Sequence, residues 1–349
     1  MNDLKSISKK AYFCKHFDLC KGNLKATWKL TGTLIKRKTK GQTTPLRIVR
    51  NNKTYTNNDD IADQFNKHFI NVGPYLASKI ANSSANPTRY ISFSPSSSFA
   101  MSTVTESQVS SLFKALDVNK SSIDIPNKLI KLAAEPLSVP FTKIYNQSIE
   151  IGIVPNILKV SQVTPVYKNG DVTDPGNYRP ISTLSPFSKV LERLIYNQLN
   201  SFLEKHDIMY KYQFGFRKGY STEQAILELT DTLKKAMDKR LVTCGLLLVF
   251  SFSKAFDAVN HNILLSKLYH YGIHGTPFKW FENYLRNRTQ FVKIANTKSN
   301  CETITCGIPQ GSTLGPLLFL LYINDLPNCS NKLSFRIFAD DTNMFFLKC

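Results

Sequence analysis

The chain has 349 residues, with 45 Lys and Arg against 25 Asp and Glu, a formal charge of +20. Hydrophobic residues make up 42% and aromatics 11%, enough to bury a core, which excludes wholesale disorder. The longest apolar runs, such as Leu314–Ile323, reach about half a membrane span, the N-terminus lacks a signal-peptide stretch, and the seven Cys are odd in number and scattered. These features predict an intracellular protein of nucleus or cytoplasm rather than a membrane or secreted one.

At about 100–200 residues per domain, the length suggests two domains, or one with an appendage. The first 60 residues hold 14 Lys and Arg against 4 Asp and Glu, half the positive excess. Such a basic field attracts polyanions, although a solvated arm without a partner has the same composition. Cys14, His16 and Cys20 match no common zinc spacing and lack a second ligand pair, so no zinc site is expected.

Residues 1–50 are weakly periodic and predicted to be less ordered than the rest. A helix is expected over 61–80, with Ile61, Phe65, Phe69 and Val72 on one face. A Ser-, Asn- and Pro-rich stretch, Asn82–Ser102, reads as a linker. Thr105 and Gln108 form a capping-box pair ahead of an apolar periodicity. Pro126 and Pro186 each head a helix. The second carries the stripe Phe187, Val190, Leu191, Leu194, Ile195, Leu199, Phe202 and Leu203.

"GLLLVF" (Gly245–Phe250) reads as a buried strand, and the sequence after it as a helix ending near Gly272. Thr276–Leu285 is another helix, Gln290–Asn296 a strand, and Gly311–Asp325 an apolar helix entered through a Gly-rich turn. "LSFRIFADDTNMFFL" reads as a hairpin with Asp340 and Asp341 at its tip.

Adjacent carboxylates at a tight turn repel, and burial adds a desolvation cost. A hard cation relieves both, since Mg²⁺ is often held by one or two carboxylates plus substrate phosphates. Paired ions of this kind serve phosphoryl transfer. Taken alone, "ADD" also fits an ordinary turn, where Asp is common.

Three strings precede the hairpin: "NYRPISTLSPFSKVLERLIYNQL" (177–199), "FSKAFDAVNHNILLSKL" (252–268) and "GIPQGSTLGPLLFLLYINDLP" (307–327). In this order and spacing they resemble the reverse transcriptase of LINE-like, non-LTR retrotransposons of the jockey type. The resemblance runs from about residue 104 to the end, and more loosely from Trp28. It implies an α+β right-hand polymerase with fingers and palm, a small antiparallel palm sheet backed by helices. It divides the chain into a basic N-terminal linker region, 1–103, and a reverse transcriptase domain, 104–349. The implied activity is RNA-directed DNA polymerisation by two-metal nucleotidyl transfer. The implied partners are an RNA template, a DNA primer, deoxynucleoside triphosphates and two Mg²⁺ ions.

Residue by residue, the resemblance makes Asp340 a metal ligand and Asp341 the neighbouring carboxylate near the primer terminus. Gln310 would touch the incoming nucleotide, and Gly311 would allow close backbone approach to the template pair. Phe256 looks like the bulky residue that excludes a ribose 2′-hydroxyl. Lys168 and Arg179 resemble the residues that grip the triphosphate. Without the family, Phe256 reads as core, and Lys168 and Arg179 as surface charges.

One departure bears on activity. The family reads roughly "LDFSKAFD", and its first Asp bridges the metals; here Ser251 takes that place. Losing one group from a charge-stabilised site often costs ~10²–10³ in rate. Asp257, six positions on, also occurs in intact members and is no replacement. "NKSSIDIPNKLIK" lacks a usual Gly, and Leu158 takes the place of a Trp. The sequence stops eight residues after Asp341, which implies a missing thumb and leaves the last strand an exposed apolar edge. The expectation is a truncated, partly decayed copy with impaired synthesis. The alternatives are a catalytically silent nucleic-acid-binding fragment or a functionless relic.

Overall fold

The computed structural model describes residues 2–34, 47–50, 52–79, 86–92, 94–123, 125–239, 242–244, 250–251 and 255–348. The chain divides into two compact units, Met1–Thr44 and Pro45–Cys349. The first holds α1 (Asn2–Leu19) and α2 (Leu24–Leu34). These helices occupy part of the stretch whose weak periodicity predicts little order. Lys, Ala and Leu are good helix formers even where no apolar stripe betrays them.

The second unit opens with a small hairpin, β1 (Ile48–Arg50) and β2 (Lys53–Tyr55), followed by α3 (Asn58–Ser78). α3 is the helix expected at 61–80. It starts at Asn57, whose side chain accepts from the Asp59 N–H, and it buries Ile61, Phe65, Phe69 and Val72. Next come α4 (Glu106–Lys114), α5 (Asn127–Leu132) and α6 (Ala134–Ile151). α4 carries the predicted capping box, with Thr105 and Gln108 bonded reciprocally.

A hairpin of β3 (Val160–Tyr167) and β4 (Tyr178–Leu184) precedes α7 (Pro186–Lys205), which buries the predicted stripe apart from Phe187 and Phe202, both half-buried against the same core. α8 (Thr222–Asp238), β5 (Val242–Cys244) and β6 (Phe250–Ser251) follow. Most of the strand expected at Gly245–Phe250 lies outside the described residues; Phe250 opens β6. The helix expected directly after it starts later, as α9 (His261–His270). Asn260 sets that start, because its side chain accepts from the N–H groups of Asn262 and Ile263. Then come α10 (Gly275–Leu285), β7 (Arg288–Ile294), β8 (Thr297–Lys298), β9 (Glu302–Ile304), α11 (Gly315–Ile323), β10 (Leu333–Phe338) and β11 (Asp341–Lys348).

Two sheets matter for the site. The larger runs β4-β3-β7-β8, with β9 also on β7. Its β3–β7 pair is parallel, Val160 opposite Thr289. The smaller sheet centres on β11, with β10 on one side and β5 and β6 on the other, all antiparallel. The last strand is therefore central, not the exposed edge the sequence suggests. The reason is that β5 and β6, a hundred residues upstream, return to cover it.

Two hydrophobic cores lie behind these elements. A large cluster of α4–α7 and α9–α11 includes Phe113, Tyr145, Leu199, Trp280 and Leu318. A smaller one joins Ile48, Ile61 and Phe65 to Val163 and Tyr178 of the larger sheet and Val292 of β7. α3 thus shares a core with strands far downstream. No helix among the described residues is long and apolar enough to cross a membrane.

Candidate active site

In the β10–β11 hairpin, Phe338 pairs with Asp341. The two turn residues are therefore Ala339 and Asp340, and Asp341 opens β11, so the turn lies one position earlier than the sequence suggests. Ala339 has φ +57°, a left-handed conformation at the first central position, where Gly is the usual choice. Asp340 is half-buried and Asp341 exposed. On the other side of β11, Ser251 pairs with Asp341 and Phe250 with Thr342. A separation of 90 residues in sequence closes to one antiparallel register pair.

The turn is held by a segment the sequence reading overlooks, Tyr212–Phe216. It runs parallel to β10: Ile337 donates its N–H to the Tyr212 carbonyl at 3.0 Å, and Phe214 donates to the Ile337 carbonyl at 2.8 Å. Gln213 Oε1 accepts from the N–H groups of Ala339 (3.0 Å) and Gly215 (2.8 Å). Its Nε2 donates to the Ala339 carbonyl at 3.4 Å. A Cβ at Gly215 would collide with the Ala339 backbone. The available signal was the string "QFGF", a Gly enclosed by aromatics.

Phe256 lies between two rings. It stacks on buried Phe319 with centroids 4.5 Å apart and meets Phe216 edge-on at 5.8 Å. The backbone around it is bonded to the "GIPQG" loop: Ile308 donates to the Phe256 carbonyl and Gly307 to that of Val259, both at 2.8 Å. His261, buried, bonds the Gly307 carbonyl through Nε2 at 2.7 Å. Gln310 Nε2 donates to Asp257 Oδ1 at 3.0 Å. Asp257 thus orients Gln310, a contact the sequence did not reveal.

The same loop is tied to β4, where Ser182 donates its N–H to the Gln310 carbonyl at 2.9 Å. Gly311 has φ +142°, and a Cβ there would strike the Ser182 carbonyl. Its lack of a side chain is required by the chain's own strand. A cleft beside the loop is lined by Phe69 and Ile70 of α3, Pro180 and Ser182 of β4, and Asp257 and Gln310. Lys168 and Arg179 are exposed at the loop end of the β3–β4 hairpin, where Arg179 pairs with Val166.

Glu192 of α7 is fully buried beneath this loop. Its carboxylate accepts from the backbone of Thr313 and Leu314 and from the Tyr284 hydroxyl. Burial raises its pKa against the opposing pull of Arg288 and these bonds. It was hidden in an otherwise apolar stripe.

The donors at the acidic turn suit a hard cation. Asp340 and Asp341 are adjacent, and neither carboxylate has a hydrogen-bond or ion-pair partner among the described residues. No third His, Cys, Asp or Glu joins them within the described residues. Two carboxylates can hold one Mg²⁺ completed by phosphate oxygens and water.

The Reverse transcriptase (RNA-dependent DNA polymerase) family profile matches residues 166–348, more than half of the chain. The probable RNA-directed DNA polymerase from transposon BS of Drosophila melanogaster is 32% identical over 250 residues, covering 67% of this chain and 26% of that protein. The RNA-directed DNA polymerase from mobile element jockey of the same fly is 30% identical over 233 residues, covering 66% and 25%. The corresponding X-element protein is 31% identical over 222 residues, covering 62% and 24%. The chain spans about a quarter of the length of these curated relatives. With its acidic hairpin, its "PQG" loop and these relatives, the chain belongs to the reverse transcriptase family and carries the reverse transcriptase domain of a LINE-like, non-LTR retrotransposon.

Proposed function

We propose that this chain forms the nucleotide-joining centre of an RNA-directed DNA polymerase, and that Ser251 impairs its synthesis. The observation that carries the reading is the register of β6 on β11, which sets Ser251 opposite Asp341. In this reading the smaller sheet is the palm, and the β3–β4 hairpin with α10–β9 belongs to the fingers. The packing of α3 on β7 supports extending the working body upstream of residue 104.

Asp340 and Asp341 would hold divalent cations, which when bound stabilise charge on the transferring phosphate. The remaining work falls to the chain itself. Lys168 and Arg179 bind phosphates, the first as a point charge and the second through its forked guanidinium. Phe256, braced by Phe319, blocks the space of a ribose 2′-hydroxyl. Asp257 aims Gln310 at the nucleotide, and Gly311 brings the loop against β4. RNA template, DNA primer and deoxynucleoside triphosphates are the corresponding partners.

Primer extension on an RNA template with Mg²⁺ tests this. The chain as it stands should extend poorly. Ser251→Asp, joined to the downstream segment of a longer relative, should raise the rate by about 10²-fold or more. Robust synthesis by the unmodified chain would overturn the role given to Ser251. No gain from the restored carboxylate would overturn the metal-site reading. The charge of +20 favours a second reading, in which polyanion binding persists without synthesis.

A further inference from the structure

We infer that Gln213 is a positioning residue for the acidic turn, keeping Asp340 and Asp341 aimed for cation binding. The inference rests on the proposed metal-binding role of these two carboxylates. Gln213 itself touches no reacting atom; it acts through Ala339.

The geometry is specific to that task. Gln213 is 2% exposed, and its amide is used at both ends. Oε1 takes the Ala339 and Gly215 N–H groups, while Nε2 reaches the Ala339 carbonyl. One side chain therefore engages both backbone polar groups of the single left-handed residue in the hairpin turn. Ala at φ +57° is disfavoured by its own Cβ, so the conformation must be imposed from outside. The residue that follows in sequence is Asp340.

Three neighbouring features keep the clamp rigid. The segment carrying Gln213 is bonded along β10 by the backbone of Tyr212 and Phe214. Gly215 lets it approach the turn more closely than any side chain would allow. Tyr212 is covered by the Arg336 guanidinium, 3.6 Å from its ring centroid, and Arg336 is paired with Glu228 of α8. The turn is thus registered against α8 and α7's downstream loop rather than left to its two strands. Partners that orient metal ligands without touching the metal typically change affinity by about 10–100-fold when removed.

The test measures Mn²⁺ binding to the full chain by electron paramagnetic resonance, with thermal unfolding as the control for folding. Asp340→Asn should weaken binding and so identify the site. Gln213→Met keeps volume but loses the amide; it should weaken Mn²⁺ binding about tenfold. Adding Ala339→Gly to Gln213→Met should recover most of that loss, because Gly adopts the left-handed turn unaided. A general packing role for Gln213 would not be rescued this way.

If Asp340→Asn leaves Mn²⁺ binding unchanged, the metal-site reading fails and this inference with it. If Asp340→Asn weakens binding while folded Gln213→Met does not, only the positioning role is overturned. Should Gln213→Met not fold, Gln213→Asn makes the same comparison. Its amide is one methylene short of spanning both groups of Ala339. Affinity equal to the parent chain would then refute the inference.

Discussion

In the proposed reading, Ser251 takes the place of the family's bridging carboxylate, and the difference was readable because the "FSKAFD" string beside it is intact. Less readable were residues whose work is to hold others. Asp257 was set aside as no replacement for Ser251, and nothing in the sequence showed that it accepts from Gln310. Gly311 was read only for its room beside a template pair, and the sequence did not show that a Cβ there would strike the Ser182 carbonyl. Nothing in local sequence reports a neighbour 129 positions away.

His261 illustrates the same point and yields a pH prediction. Its ring is buried and donates from Nε2 to the Gly307 carbonyl, which fixes the neutral tautomer. Burial depresses its pKa below the ordinary value, and Arg288 and Arg286 add to the effect, against the bond to Gly307. The unfolded chain therefore binds the proton more readily. Stability from this group is complete above about pH 6.5 and falls away as pH drops from there toward the folded value. Denaturant melts between pH 7.5 and 5 should show this loss, and His261→Gln should flatten it. An equal acid slope in the variant would refute the assignment.

Among the elements, those with strong end signals were legible. α4 begins at its capping box and α7 at its proline, as their sequences state. α9 was misplaced because the apolar periodicity extends upstream of the Asn260 cap. The turn of the acidic hairpin shifted by one residue, since strand pairing claims Asp341. α3 was legible as a helix, but its docking was not.

That docking depends on Gly73. A Cβ there would run into the Asp257 carbonyl and the Cys306 thiol, on either side of the Gln310 loop. Gly73→Ala trades a helix-propensity gain of up to ~1 kcal/mol against a backbone collision. We expect net destabilisation of roughly 1–3 kcal/mol, read as a lower thermal midpoint. A midpoint at or above that of the parent chain would show that α3 does not seat on the loop.

At the scale of the whole molecule, the charge of +20 was legible from composition and the sheet topology was not. Composition cannot say that β5 and β6 return to flank β11, nor that α3 completes the larger sheet's core. The charge does predict behaviour. Single-stranded RNA affinity should drop by roughly 300-fold between 50 and 200 mM salt if some six phosphates are neutralised. Fluorescence anisotropy with labelled RNA measures the slope. Affinity indifferent to salt would remove polyanion binding as a role for this surface.

The parallel pairing of β3 with β7 has a temporal consequence. Val160 meets Thr289 across the sheet, so one flank of β3 waits for a partner made 129 residues later. At about 5–20 residues per second on the ribosome, that delay is roughly 6 to 26 s. During it the nascent hairpin shows open backbone donors and acceptors to whatever is nearby. The birth of this protein is thus its most vulnerable moment, and a chaperone that shields a half-built strand has its clearest opening there.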